Sequence, residues 1–351
     1  MSSVSERRTV APRPAAPSSS AGERIVALDA HRGLAIVVFI LVNTAGIRAA
    51  MPYHLGHPTW HGLTFADTFF PVFLFAMGAA MEFSTRTQRV PSVARRVALL
   101  VVLGVGLSWL RTGGPQAAGV LQKIAVAYLV AWLVLRLPRR LHLPAAIAML
   151  AAIWVAFASF GGPGGSWEQG TNVAAVLDRL VLGHPATEGF ATAIFAAVNV
   201  VGGSLVIRSI RGLAARDALV RIVLWAAASL GLGLAVSIAI PVNKRMWTPS
   251  FIVLTHGIAC LYLAAFWWIA EVRKRRWIVR PFVALGRNPI FIFVLFTAAH
   301  QLLGPIRSPV TGVLADALGP TAASLMWSGA LTILGVVLAE WMDRRRVYVR
   351  V

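Results

Sequence analysis

Gly33-Leu-Ala-Ile-Val-Val-Phe-Ile-Leu-Val-Asn43 opens a run, residues 33–50, that carries no charge until Arg48. Crossing a bilayer as a helix takes about 20 mostly apolar residues, and this run supplies them. Nine more windows read the same way: 64–83, 97–110, 116–135, 143–160, 188–207, 220–240, 249–270, 281–303 and 320–341. Several hold an interior Gly or Pro, which bundled membrane helices tolerate. The predicted fold is an all-α polytopic membrane protein, a bundle of about ten transmembrane helices.

Composition supports this reading. Of 351 residues, 58% are hydrophobic and 13% charged, and the mean hydropathy is +0.72. Soluble domains run roughly 45–50% apolar and about 25% charged, so a water-soluble globule is excluded. Lys and Arg number 33 against 13 Asp and Glu, a net charge of +20. In so apolar a chain that excess points to an anionic lipid surface rather than to nucleic acid. Cys260 is the single cysteine, which excludes a disulfide framework and a cysteine zinc site.

Residues 1–22, rich in Ser, Pro, Ala and Arg, read as a disordered tail, and 23–351 as one transmembrane domain. No signal-peptide run precedes the first window, which is expected to act as its own insertion signal. If the ten windows alternate across the membrane, 25 of the 33 Lys and Arg fall in one set of loops and tails and 6 in the other. Cationic loops stay in the cytoplasm, so both termini are expected there. The Ala-, Val- and Arg-rich composition fits a high-GC bacterial genome and a place in the plasma (inner) membrane. The oligomeric state is open, a homodimer included.

Ionisable groups inside spans are costly and usually functional. Asp67, Lys123 and Arg287 are the three that stand out, with polar company from Asn43, Gln122, Asn199, His256, Asn288 and His300. The first external loop is the densest in chemistry. His54, His57 and His61 lie within eight residues there, close to Asp67. Gly56, Pro58 and Gly62 interrupt any helix that would align the three rings, so a general base fits better than a metal ligand and no metal is expected. Asp67, with Thr64 as cap, is placed to accept a His ring N–H and fix its tautomer. A second external loop, Pro241–Phe251, carries Asn243, Lys244, Arg245 and Trp247, an entrance suited to a sugar hydroxyl or amine.

Five stretches in order resemble the heparan-α-glucosaminide N-acetyltransferase family of transmembrane acyltransferases. They are Leu28-Asp29-Ala-His-Arg32-Gly33 running into Val42-Asn43, His57-Pro-Thr-Trp60 through Asp67 to Gly78, Gly119-Val-Leu121-Gln122-Lys123, Pro241-Val-Asn243-Lys244 through Phe251, and Gly286-Arg-Asn288-Pro-Ile290. The resemblance implies an enzyme that takes acetyl from cytosolic acetyl-CoA and passes it to an amino sugar or glycan across the membrane. It implies His57 as the active histidine, with Asn43 and Asp67 beside it. Arg32, Lys123, Arg287 and Asn288 are expected to meet the donor, and Trp60, Asn243, Lys244 and Trp247 the acceptor. The family commonly has Arg where this chain has Lys123, which keeps charge but loses a bidentate fork. A glycan O-acyltransferase and a membrane transporter are the alternative readings.

Overall fold

The computed structural model describes residues 25–84, 89–114, 116, 119–160, 165–184 and 188–349. The 1–22 tail lies outside the described residues. Among the described residues thirteen α-helices follow one another: α1 Val26–Asn43, α2 Phe69–Met81, α3 Val90–Thr112, α4 Val120–Leu135, α5 His142–Ser159, α6 Val173–Leu182, α7 Phe190–Ile210, α8 Ala215–Ser237, α9 Pro249–Trp267, α10 Arg276–Arg287, α11 Pro289–Leu302, α12 Gly304–Leu318 and α13 Pro320–Arg344. Among the described residues there is no strand, only an isolated bridge between Gly62 and Asn243. The protein is an all-α polytopic membrane protein.

Seven helical segments are long and apolar enough to cross a membrane, and a bent pair makes an eighth. The segments 65–81 and 120–135 are shorter and apolar. Together these account for each of the ten sequence windows. One window changes. Residues 281–303 are not one helix, because α10 and α11 meet at 74°. Pro289 disfavours helical backbone in the residue before it, and Asn288 sits at φ −127°, ψ 44°. The half before the break, α10, holds Arg276, Arg280 and Arg287 along an otherwise apolar face and packs on α1. Two helices escape the hydropathy reading: α6, at ten residues, and α12, interrupted by Arg307 and Pro309.

Burial separates a core from a shell. In α1, α7 and α9, 56%, 78% and 67% of the apolar window is buried, against 22% in α3, α5 and α8. α2 is apolar on all sides and buried along nearly its whole length, held between α1 and α7. The outer helices keep their Leu, Val and Trp side chains exposed, as helices facing lipid do.

Small residues let the inner helices touch backbone to backbone. A Cβ at Gly33 of α1 would stand 1.8 Å from the Phe282 carbonyl oxygen of α10, and one at Gly286 would meet the Asp29 carbonyl at the same distance. Gly78 of α2 and Gly203 of α7 make a similar reciprocal contact, with the Val200 and Phe75 carbonyls. Gly33→Ala is therefore expected to destabilise the fold by roughly 1–3 kcal/mol through overpacking, read as a lower melting temperature in detergent. Gly106→Ala, on α3 with open space around it, is expected to melt no lower than the parent.

Candidate active site

The last turn of α1 and the loop that follows build the site. Residues 48–68 fold into three short 3-10 turns rather than one helix. The third, Phe65–Thr68, leads straight into α2 and buries Asp67 completely. Its carboxylate is held from two sides. Oδ2 accepts the Thr64 backbone N–H at 3.0 Å, and Thr64 Oγ1 stands 3.0 Å from it. Oδ1 lies 2.6 Å from His57 Nδ1. A carboxylate only accepts, so Nδ1 carries the hydrogen, and in a neutral ring the lone pair is then on Nε2.

His57 and Asn43 line one cavity of about 110 Å³. Its walls are apolar: Ala35, Ile36 and Phe39 of α1, Phe70 and Phe73 of α2, Leu121 and Ile124 of α4, Ile290 and Phe293 of α11. Its polar groups are Asn43, His57, Lys123, Glu188 and Lys244. Asn43 Nδ2 donates one hydrogen to the Phe39 carbonyl at 3.1 Å. An amide has two, so one remains for a ligand.

Lys123, Glu188 and Lys244 join this centre as a charge ladder. Lys123 Nζ is 2.8 Å from Glu188 Oε2. Lys244 Nζ lies 3.5 Å from Glu188 Oε1 and 3.3 Å from Asp67 Oδ1. Lys123 also faces the Phe70 ring at 5.5 Å. Glu188 sits two residues before α7 in left-handed backbone, φ 58°, uncommon for a residue with a Cβ. Burial alone would raise its carboxyl, but the Lys123 ammonium, and then Lys244, outweigh that and hold it at about 2.

The sequence-predicted residues divide between two ends of the bundle. Asn43, His57, Asp67, Lys123 and Lys244 meet at one end. Arg32, Arg287 and Asn288 stand at the other, where they touch protein. Arg32 donates to Asp29 Oδ1 and the Gly286 carbonyl. Arg287 pairs with Asp343, and Asn288 clips the chain's end by bonding Val347 and Val349 backbone. Lys123 is thus separated from the three residues it was grouped with. On the acceptor side only Lys244 reaches the cavity. Asn243 is fully buried, donating to the Trp60 carbonyl at 2.8 Å and accepting from Met246 N–H at 3.0 Å. Trp60 donates to the Trp167 carbonyl, and Trp247 is enclosed against Phe70 and Phe251. Asn243 thus locks the loop before α9 to the loop after α1, Trp60 ties that loop to Trp167, and Trp247 anchors its own loop on α2 and α9.

Sequence reasoning missed Glu188. Its partner Lys123 lies 65 residues away and Lys244 lies in another loop, so no local spacing connects them. The one signal was an acidic residue, among only 13, at the edge of an apolar window.

Residues 24–168 match the catalytic family of heparan-alpha-glucosaminide N-acetyltransferase. That stretch holds Arg32, Asn43, His57, Asp67 and Lys123. Over that stretch the chain is similar to the heparan-alpha-glucosaminide N-acetyltransferase catalytic family. Among curated proteins it is 25% identical to "Heparan-alpha-glucosaminide N-acetyltransferase" of Homo sapiens, over 77% of this chain and 52% of that protein. It is 26% identical to the protein of the same name from Mus musculus, over 81% of this chain and 54% of that one. The chain thus spans about half the length of these relatives.

The Glu188 ion pair has a pH signature. A carboxyl depressed from 4.5 to about 2 in the folded state stabilises the fold fully above its ordinary value and ceases to do so as pH falls towards 2. The melting-temperature gap between the parent and Glu188→Gln is expected to be constant above pH about 5. It is expected to close as the pH is lowered from there, read by thermal melts in detergent.

Proposed function

We propose that the protein is a membrane-embedded acetyltransferase that takes acetyl from acetyl-CoA on the cytoplasmic side and delivers it to an amino sugar or other glycan amine on the opposite side. The observation that carries this reading is the cavity, whose apolar walls run along α1 from Ala35 to Val42 and end at Asn43 and His57. Eleven residues of helix separate Arg32 from Asn43, roughly 16 Å at 1.5 Å per residue. A slim pantetheine arm can cover that distance while its charged nucleotide stays outside. The family relationship supports acetyl transfer as the chemistry.

The residues then take roles. The thioester carbonyl lies beside Asn43, whose second N–H donates to the oxygen as it gains charge; removing such a donor typically costs roughly 3–4 kcal/mol. The acceptor nitrogen attacks the carbonyl carbon, a C–N bond forms and the C–S bond breaks. His57 Nε2 takes the acceptor's proton and returns one to the departing thiolate. If the acetyl first rests on His57, the same Nε2 is the nucleophile. Asp67 holds the ring in the useful tautomer and pairs the imidazolium that forms. Lys244, at the cavity wall, meets the acceptor.

At the donor end, phosphates meet Arg32 and Arg287 only by competing with Asp29 and Asp343. Lys123 belongs to the transfer centre instead. The positive-inside distribution supports cytoplasmic termini and ten crossings, with α6 and α12 lying outside and α10 along the inner face. The plasma membrane is the compartment that suits such a chain.

Purified His57→Ala protein is expected to stay folded, melting below the parent because buried Asp67 loses a partner, and to lose about 10²–10⁴-fold of the rate of radiolabelled acetyl transfer from acetyl-CoA to glucosamine. An alkali-stable amide product is expected, where an O-acyltransferase gives an alkali-labile ester. Normal turnover by His57→Ala contradicts the assignment, and solute flux without CoA would favour a transporter.

A further inference from the structure

We propose that Glu188 is a positioning residue for His57, offsetting Lys123 and Lys244 so that the imidazole can accept a proton beside two ammonium groups. The inference rests on the acetyl-transfer reading and adds to it a group outside the span of the family match.

The charges that face His57 come from four places. Asp67 comes from the 3-10 turn before α2, Lys244 from the loop before α9, Glu188 from the loop before α7 and Lys123 from α4. Asn43, from α1, is uncharged. With His57 neutral these two cations and two anions cancel. When His57, whose side chain is 34% exposed, takes a proton, one positive charge is added at the rim of the cavity, beside Asp67 and Lys244. Without Glu188, two ammonium groups would already stand against one carboxylate. An added charge on the ring would then be opposed rather than supported. The same excess would repel an acceptor that arrives as its ammonium form.

The fold goes to some length to hold Glu188 there. Its backbone is left-handed, and the next residues are tied to α6. Asp178 of α6 is fully buried and accepts the Ala191 N–H at 2.9 Å. Gly189 packs so closely on it that a Cβ would stand 2.0 Å from Asp178 Oδ2. This gives α6, too short to cross a membrane, a purpose: it fixes the approach to α7 so that the Glu188 carboxylate reaches between the two lysines.

The test uses the full chain in detergent as parent, Glu188→Gln and Lys123→Met/Glu188→Gln. Two readouts are followed against pH. One is kcat/KM for acetyl transfer. The other is carbethoxylation of His57 by diethyl pyrocarbonate, measured by peptide mass spectrometry and needing no acceptor. In Glu188→Gln both acid limbs are expected to move to lower pH by on the order of one unit, and the plateau rate to fall. The double variant removes one positive and one negative charge, so its limbs are expected to return towards the parent. A Glu188→Gln limb that coincides with the parent's overturns the proposal, as does a double variant displaced as far as the single one. Parent protein that never transfers acetyl defeats the functional reading instead, while the carbethoxylation limb still decides the role of Glu188.

Discussion

A carboxylate with no solvent exposure, 2.6 Å from one ring nitrogen of a histidine, is the contact on which the rest of the site depends. Asp67 is tolerable in an apolar bundle because its oxygens are met by Thr64, His57 and Lys244. Each bond also has a consequence for geometry. The Thr64 contacts fix the turn that starts α2. The His57 contact leaves Nε2 as the only basic lone pair on that ring. The Lys244 contact draws the loop before α9 over the first loop, where Asn243 and Trp60 complete the join. Removing any partner leaves a buried charge uncompensated, which costs far more than the pair contributes.

Around that centre the bundle is organised by close packing rather than by polar attraction. Apolar side chains find lipid as favourable as protein, so helices associate where their backbones can approach. Gly33, Gly78, Gly203 and Gly286 permit this along α1, α2, α7 and α10. α1 is the shared wall. Its first two turns meet α10 at Asp29 and Gly33, and its last turn carries Asn43 into the cavity. One rigid helix thus relates the two ends at a fixed separation.

The sequence was most readable where the chemistry is local. Asn43, His57 and Asp67 fall within 25 positions on one span, loop and span, and the hydropathy windows fell on the helices because bilayer thickness sets their length. It was less readable where partners are remote. Lys123 could be recognised as an in-span cation in need of an anion, but only the folded chain supplies Glu188. Trp60, Asn243 and Trp247 carried the composition of an entrance, yet a polar or aromatic loop residue looks the same whether it faces a ligand or another loop. The break at Asn288 was written in Arg-Asn-Pro, and a hydropathy average passes over a single proline.

Sidedness of the reaction is the central claim, and reconstitution tests it directly. Protein inserted in one orientation in sealed proteoliposomes would receive acetyl-CoA only at the face bearing the Arg-rich loops and glucosamine only at the other. The account predicts that N-acetylated product accumulates in the glucosamine compartment while free CoA accumulates in the opposite one. Product that forms only when both substrates share one compartment would contradict it.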